Sequence, residues 1–202
     1  MGAAVAERGH LGRAQAGVIA PPLLLASTSP QRSAILEQLG LPFEVVEPRY
    51  EETGDDPLEH AAGKARSIDG GASPVVGIDT VVVCGERVLG KPPGPEAAAE
   101  MLDLLGGRMH EVVSGVCLRT AAWEELEREV TRVWFRPLTP RDIATYVASG
   151  EWQGRAGGYA IQGGGAALVE RIDGDYLNVV GLPAALLVRL LAERFAGLYG
   201  FG

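Results

Sequence analysis

A four-residue apolar run, Leu23-Leu24-Leu25-Ala26, passes directly into Ser27-Thr28-Ser29-Pro30, and this junction constrains the fold more than any other stretch of the chain. A short continuous apolar run bounded by turn-forming residues reads as a buried strand. Ser29 suits a helix N-cap and Pro30 the first helical position, where the missing N–H is one that no helix uses. Ile35, Leu36 and Leu39 then share a face, and Gly40 suits the residue just past the helix end. The strand-then-helix pattern continues. Strands are expected over 43–46 and 75–83, and helices over 58–68, 95–105, 139–148 and 183–195, the 139–148 helix opened by Thr139-Pro140 and closed by Gly150. Segments 112–118 and 129–135 read as strands paired through a turn near 121–125, although 123–128 could also be helical. Glycine-rich sequence over 154–165 precedes a further strand over 167–172. Strands alternating with helices around a central hairpin indicate an α/β fold whose mixed sheet is flanked by helices.

A length of 202 residues suits one compact domain or two lobes sharing a core. Residues 1–20, rich in Ala and Gly, read as a poorly ordered extension, leaving 21–202 as the domain. The 18 basic and 26 acidic residues sum to −8, which excludes a broad positive surface for nucleic acid or anionic lipid. An anionic partner must therefore be small and met locally. Pro21-Pro22 interrupts the apolar stretch 16–26 and argues against a secretory leader, and no apolar run is long enough to span a membrane. Cys84 and Cys117 lie in apolar strand-like runs and read as buried thiols of a reduced, cytoplasmic protein. His10, His60 and His110 have no metal-ligand spacing, so any metal is expected to be held by oxygen ligands.

Several residues stand where chemistry is done. Arg32, at the third helical position, faces the positive end of the helix dipole, an unfavourable place for a cation unless an anion binds there. Its alternatives are a solvated arginine or a pair with Glu47, Glu51 or Glu52. Asp79 ends an apolar strand, a common position for a catalytic carboxylate in an α/β sheet and equally for a turn cap. Glu51 and Glu52, with Asp79, could supply the few carboxylates by which magnesium is held together with substrate phosphates. The run Gly85-Glu86-Arg87-Val88-Leu89-Gly90-Lys91 imitates a phosphate-binding P-loop, but Pro92 replaces the hydroxyl residue the loop requires. What survives is Lys91, fixed at a strand end by the prolines that follow. His110 precedes a strand and reads as structural more than as a base. Gln162, before three glycines, can donate and accept hydrogen bonds, either to a base or ribose or from a merely flexible loop.

Four stretches taken together carry a resemblance. Leu25-Ala26-Ser27-Thr28-Ser29-Pro30-Gln31-Arg32 comes first, then Gly77-Ile78-Asp79-Thr80 with Gly90-Lys91-Pro92. Ala156-Gly157-Gly158-Tyr159-Ala160-Ile161-Gln162-Gly163 follows, and Gly174-Asp175-Tyr176-Leu177-Asn178-Val179-Val180-Gly181-Leu182-Pro183 closes the set. In this order they resemble the Maf family of nucleoside triphosphate pyrophosphatases. The resemblance implies an elongated, two-lobed α/β fold similar to inosine triphosphate pyrophosphatase, and hydrolysis of a nucleoside triphosphate to the monophosphate and pyrophosphate. It implies a divalent metal (Mg2+ or Mn2+) and a homodimer. Ser29 and Arg32 would bind phosphate, Glu52 or its neighbour Glu51 would ligate the metal, and Asp79 would be the metal-linked carboxylate or general base. Lys64 and Lys91 would neutralise phosphate charge, and Gln162 would read the nucleotide. Its Tyr-Ala-Ile-Gln-Gly setting looks like the branch acting on dTTP and UTP. Gln31 stands where the family usually has the first of two arginines, which bears on substrate affinity and selectivity. A regulator of cell division that binds nucleotide without turnover is the rival expectation.

Overall fold

The computed structural model describes residues 20–201, so the expected extension over 1–20 lies, but for its last residue, outside the described residues. The chain runs β1 (Leu23–Ala26), α1 (Pro30–Gln38), β2 (Phe43–Val46), α2 (Pro57–Arg66), β3 (Val75–Cys84) and β4 (Arg87–Leu89). It continues through α3 (Pro95–Leu105), β5 (Met109–Arg119), β6 (Glu124–Phe135) and α4 (Pro140–Ser149), then two 3-10 turns, β7 (Val169–Asp173), α5 (Tyr176–Val180) and α6 (Ala184–Phe195). The strands form one seven-stranded sheet in the order β2-β1-β3-β5-β6-β7, with β4 hairpinned onto β3. β1 pairs in parallel with β2 and β3, and every other pairing is antiparallel, so the expected mixed sheet with flanking helices is what forms.

The long central strand β3 contributes to three apolar clusters. Val76 and Ile78 pack with Leu23, Leu36, Leu187 and Leu190 from β1, α1 and α6, whereas Val82 and Cys84 pack with Leu102, Val133 and Phe135 farther along the sheet. Asp79 and Thr80 fall between these two, so Asp79 lies within β3 and does not end the strand as expected, because pairing with β5 carries the strand on past it. A third, smaller cluster joins Ala61 and Ala65 of α2 to Ala26, Val75 and Cys117. α2 lies unusually close to the sheet because glycine faces it: a Cβ on Gly77 would come 2.1 Å from the Ala61 carbonyl oxygen.

Local differences from expectation have physical reasons. Residues 123–128 are not helical. Residues 124–128 open β6, which pairs with β5 from Arg119↔Glu124 to Met109↔Trp134, and the hairpin closes through Thr120 N–H to the Trp123 carbonyl at 2.9 Å. The last strand starts at Val169, two residues late, because Gly164–Leu168 forms a 3-10 turn. α2 begins at Pro57, where the Asp56 side chain accepts from Leu58 N–H at 2.8 Å. Ser29 holds the N-cap position of α1 without capping it, its hydroxyl lying 3.1 Å from Gln31 Oε1. α5, opened by Asp175, escapes the sequence pattern because five residues carry too little periodicity.

Candidate active site

β1 ends at Ala26, which pairs with Gly77, so the chain peels away into the 27–29 turn just where β3 continues to Ile78 and Asp79. A cleft of about 500 Å³ opens there. Ser29, Gln31, Arg32, Glu52, Lys64, Asp79, Lys91 and Gln162 all line it. Glu51, the remaining residue expected at the site, is exposed and outside that lining; its neighbour Glu52 takes the inward place.

Asp79 shares one face of β3 with Gly77, since alternate residues of a strand point the same way. α2 covers that face, and its residues 60 and 64, one turn apart, meet over the carboxylate. Lys64 Nζ lies 2.6 Å from Asp79 Oδ1 and 2.5 Å from Glu52 Oε1. On the other side His60 Nδ1 lies 3.3 Å from Asp79 Oδ2, while Nε2 lies 3.2 Å from the Thr53 carbonyl oxygen. Burial alone would raise the Glu52 carboxyl, but the Lys64 hydrogen bond and charge, with the charge of Lys91, hold it below its ordinary value. Sequence spacing gives no reason to bring in His60. The one available signal is that His60 and Lys64 stand at i and i+4 on the same helix.

Arg32 is neither solvated nor paired with Glu47, Glu51 or Glu52. Its Nε donates to the Gly181 carbonyl at 2.9 Å, Nη1 to Ser27 Oγ at 3.0 Å and to the Ile78 carbonyl at 2.8 Å, and Nη2 to Thr80 Oγ1 at 3.3 Å. A guanidinium has five N–H groups, so these four bonds leave one. No carboxylate pairs with it among the described residues. Burial pulls its pKa below the ordinary arginine value, opposed by the charges of Asp79 and Glu52. Arg32 thus ties α1, the 27–29 turn, β3 and the end of α5 together at the cleft wall, with one N–H to spare for an anion.

Lys91 and Gln162 are exposed, and Lys91 forms no ion pair among the described residues. The P-loop imitation is the β3–β4 hairpin, as its Arg87-Val88-Leu89 core indicates. The glycine-rich segment around Gln162 is pinned, not loose. Ala160 N–H donates to Tyr146 Oη at 2.9 Å, Gly164 and Gly165 N–H donate to the Glu151 carboxylate at 3.0 and 3.2 Å, and Tyr159 Oη lies 2.9 Å from His110 Nε2. His110 is accordingly a buried support beneath Tyr159, not a base facing the cleft.

The donor set can do phosphate chemistry. Two carboxylates and an imidazole offer ligand atoms within 4.8 Å of one another, beside two lysines and the start of a helix. Among known proteins, the dTTP/UTP pyrophosphatase of Gloeobacter violaceus is 49% identical over 181 residues, covering 85% of this chain and 95% of that one. That of Moorella thermoacetica is 48% identical over 181 residues, covering 84% and 93%, and that of Deinococcus radiodurans is 43% identical over 191 residues, covering 91% and 97%. The Staphylococcus aureus Ham1 structure overlays 57% of this chain and 72% of its own at TM-score 0.45 and 16% identity, too loosely to carry an argument. The family model of the Maf-like proteins matches residues 22–194, and by that span and those identities this chain belongs to the Maf family.

Proposed function

We propose that this chain hydrolyses nucleoside triphosphates, dTTP and UTP foremost, to the monophosphate and pyrophosphate. The observation that carries this reading is the Asp79 carboxylate fixed by Lys64 at 2.6 Å in a cleft whose other walls present Ser29, Lys91 and Gln162. The base preference is supported by the names of the relatives and by the Tyr159-Ala160-Ile161-Gln162 segment.

In the reaction, Asp79 takes the proton of a water whose oxygen bonds to the α-phosphorus. The bond from that phosphorus to the bridging oxygen breaks in line, and pyrophosphate leaves with the electron pair. Lys64 has one ammonium hydrogen left after its two carboxylate contacts and, with Lys91, offsets charge on the leaving group. The amides at the start of α1 and the remaining Arg32 N–H receive phosphate oxygens. Catalysis of this kind is mostly positioning and charge neutralisation. Glu52 and Asp79 fit a divalent ion, Mg2+ or Mn2+, by donor type and by proximity. Such an ion, when bound, neutralises phosphate charge. Gln162, exposed and lining the cleft on a pinned segment, reads the pyrimidine edge by donating and accepting hydrogen bonds.

We place the activity in the cytoplasm, as a homodimer. Two buried, unpaired cysteines support the compartment, and no helix among the described residues is long and apolar enough to cross a membrane. The test is incubation with a panel of nucleoside triphosphates and Mg2+ or Mn2+, with products identified. Pyrophosphate from dTTP and UTP is the expected result. Orthophosphate alone marks a different phosphohydrolase, and tight binding with no product marks the cell-division regulator.

A further inference from the structure

His60 takes no part in the proton transfer or the bond cleavage, yet it is among the most confined polar groups in the molecule, 4% exposed under α2. Its two ring nitrogens face two oxygens, the Thr53 carbonyl from Nε2 and Asp79 Oδ2 from Nδ1. A neutral imidazole has one N–H to give. Donated to the Thr53 carbonyl, it leaves the Nδ1 lone pair aimed at an oxygen of Asp79, 3.3 Å away. Lone pairs of two acceptors so placed repel unless a proton or a metal ion lies between them. Two ligands each about 2.1 Å from one ion stand about 3.0–3.4 Å apart in octahedral or tetrahedral geometry, which is the separation found. Donation from the other ring nitrogen to a backbone carbonyl is also the contact that fixes the tautomer of metal-bound histidines. Lys64 occupies the opposite oxygen, Oδ1, and leaves the His60 side of Asp79 to an ion.

We propose that His60 is a metal ligand through Nδ1, completing with Asp79 and Glu52 a mixed nitrogen–oxygen site that favours Mn2+, Co2+ or Zn2+ over Mg2+. This rests on and deepens the proposed function, in which a divalent ion serves the cleft. Imidazole suits the transition ions, whereas Mg2+ prefers an all-oxygen shell and keeps several waters.

The test uses the full chain with Mn2+ alone and no nucleotide. Electron spin echo modulation of the bound ion is expected to show 14N coupling in the wild type and none in His60→Gln. The Mn2+ dissociation constant should weaken by about tenfold or more in that variant, while competition by Mg2+ changes little. His60→Leu, which removes every polar atom, should behave alike, with circular dichroism establishing that both variants fold. Bound Mn2+ without 14N modulation, or no Mn2+ binding by the wild type, overturns the proposal. Pyrophosphate release with Mg2+ is read separately. If it occurs while no nitrogen coupling is seen, the His60 ligand falls and the proposed reaction stands; if nitrogen coupling is seen without any product, the ligand stands and the reaction falls.

Discussion

Lys64 Nζ lies 2.6 Å from Asp79 Oδ1, both side chains almost withdrawn from water, and the same ammonium holds Glu52 at 2.5 Å. Removing one partner of a buried ion pair leaves an uncompensated charge, typically at a cost of several kcal/mol. Lys64→Met is therefore expected to lower unfolding free energy by about 3 kcal/mol in urea titrations. Adding Asp79→Asn to it should restore much of that stability while activity stays lost. Additive losses in the double variant would show that the two groups do not act as a pair.

Asp79→Asn alone tests the other half of the pair. Asparagine keeps the size and an oxygen for Lys64, so the fold should persist. It cannot take a proton from water, and loss of a general base costs about 10²–10⁴-fold. Turnover of dTTP should fall in kcat by that range in a variant that stays folded but melts lower, because Lys64 keeps only Glu52 as a charged partner; near wild-type kcat would remove Asp79 from the chemistry.

Arg32 leads to a separate prediction, because its four bonds reach acceptors on the turn after β1, on β3 and at the end of α5. A lysine has a point-like head and cannot reproduce that fork. Arg32→Lys should destabilise the protein by about 2 kcal/mol in the absence of any nucleotide. A variant of unchanged stability and raised KM would instead make Arg32 a phosphate clamp only.

His110 gives stability an acid-sensitive limb. Burial pulls its imidazole from 6.5 down to about 4, where it stays neutral beneath Tyr159. The unfolded chain binds the proton first, so the contribution is whole above pH 6.5 and is lost as pH falls toward 4. A shift of that size amounts to something on the order of 3 kcal/mol. The wild-type minus His110→Gln difference in unfolding free energy should shrink across that window and be flat above it; a difference independent of pH defeats the assignment.

The two kinds of residue at this site differ in how far sequence can reach them. The strand-to-helix junction at 26–30, the strand carrying Asp79 and the glycine-rich run around Gln162 are local patterns, and each forms within a few residues of its expected limits. Eight of the nine expected site residues line one cleft, because motif order carries information that single motifs lack. His60 is out of reach because its closeness to Asp79 depends on how α2 lies across β3. The bonds of Arg32 are hidden for a similar reason: its Nε acceptor, Gly181, is 149 residues away. The stretch 124–128 differs again, since Glu-Glu-Leu-Glu-Arg favours a helix locally and only pairing with β5 makes it a strand.

The seating of α2 is itself open to a direct test. A methyl on Gly77 would meet the Ala61 carbonyl oxygen at 2.1 Å and Ala65 Cβ at 2.9 Å, and neither is the end of a flexible chain. The helix itself must move outward. Overpacking of this kind costs about 1–3 kcal/mol. α2 carries His60 and Lys64, so the displacement also lifts both from Asp79, and misplacement by about 1 Å can cost on the order of 10²-fold in rate. Gly77→Ala, assayed at a temperature where it is fully folded, should therefore lose kcat as well as melting temperature. If only the melting temperature falls, the site tolerates a shifted α2, and the contacts of Lys64 and His60 with Asp79 do not govern turnover.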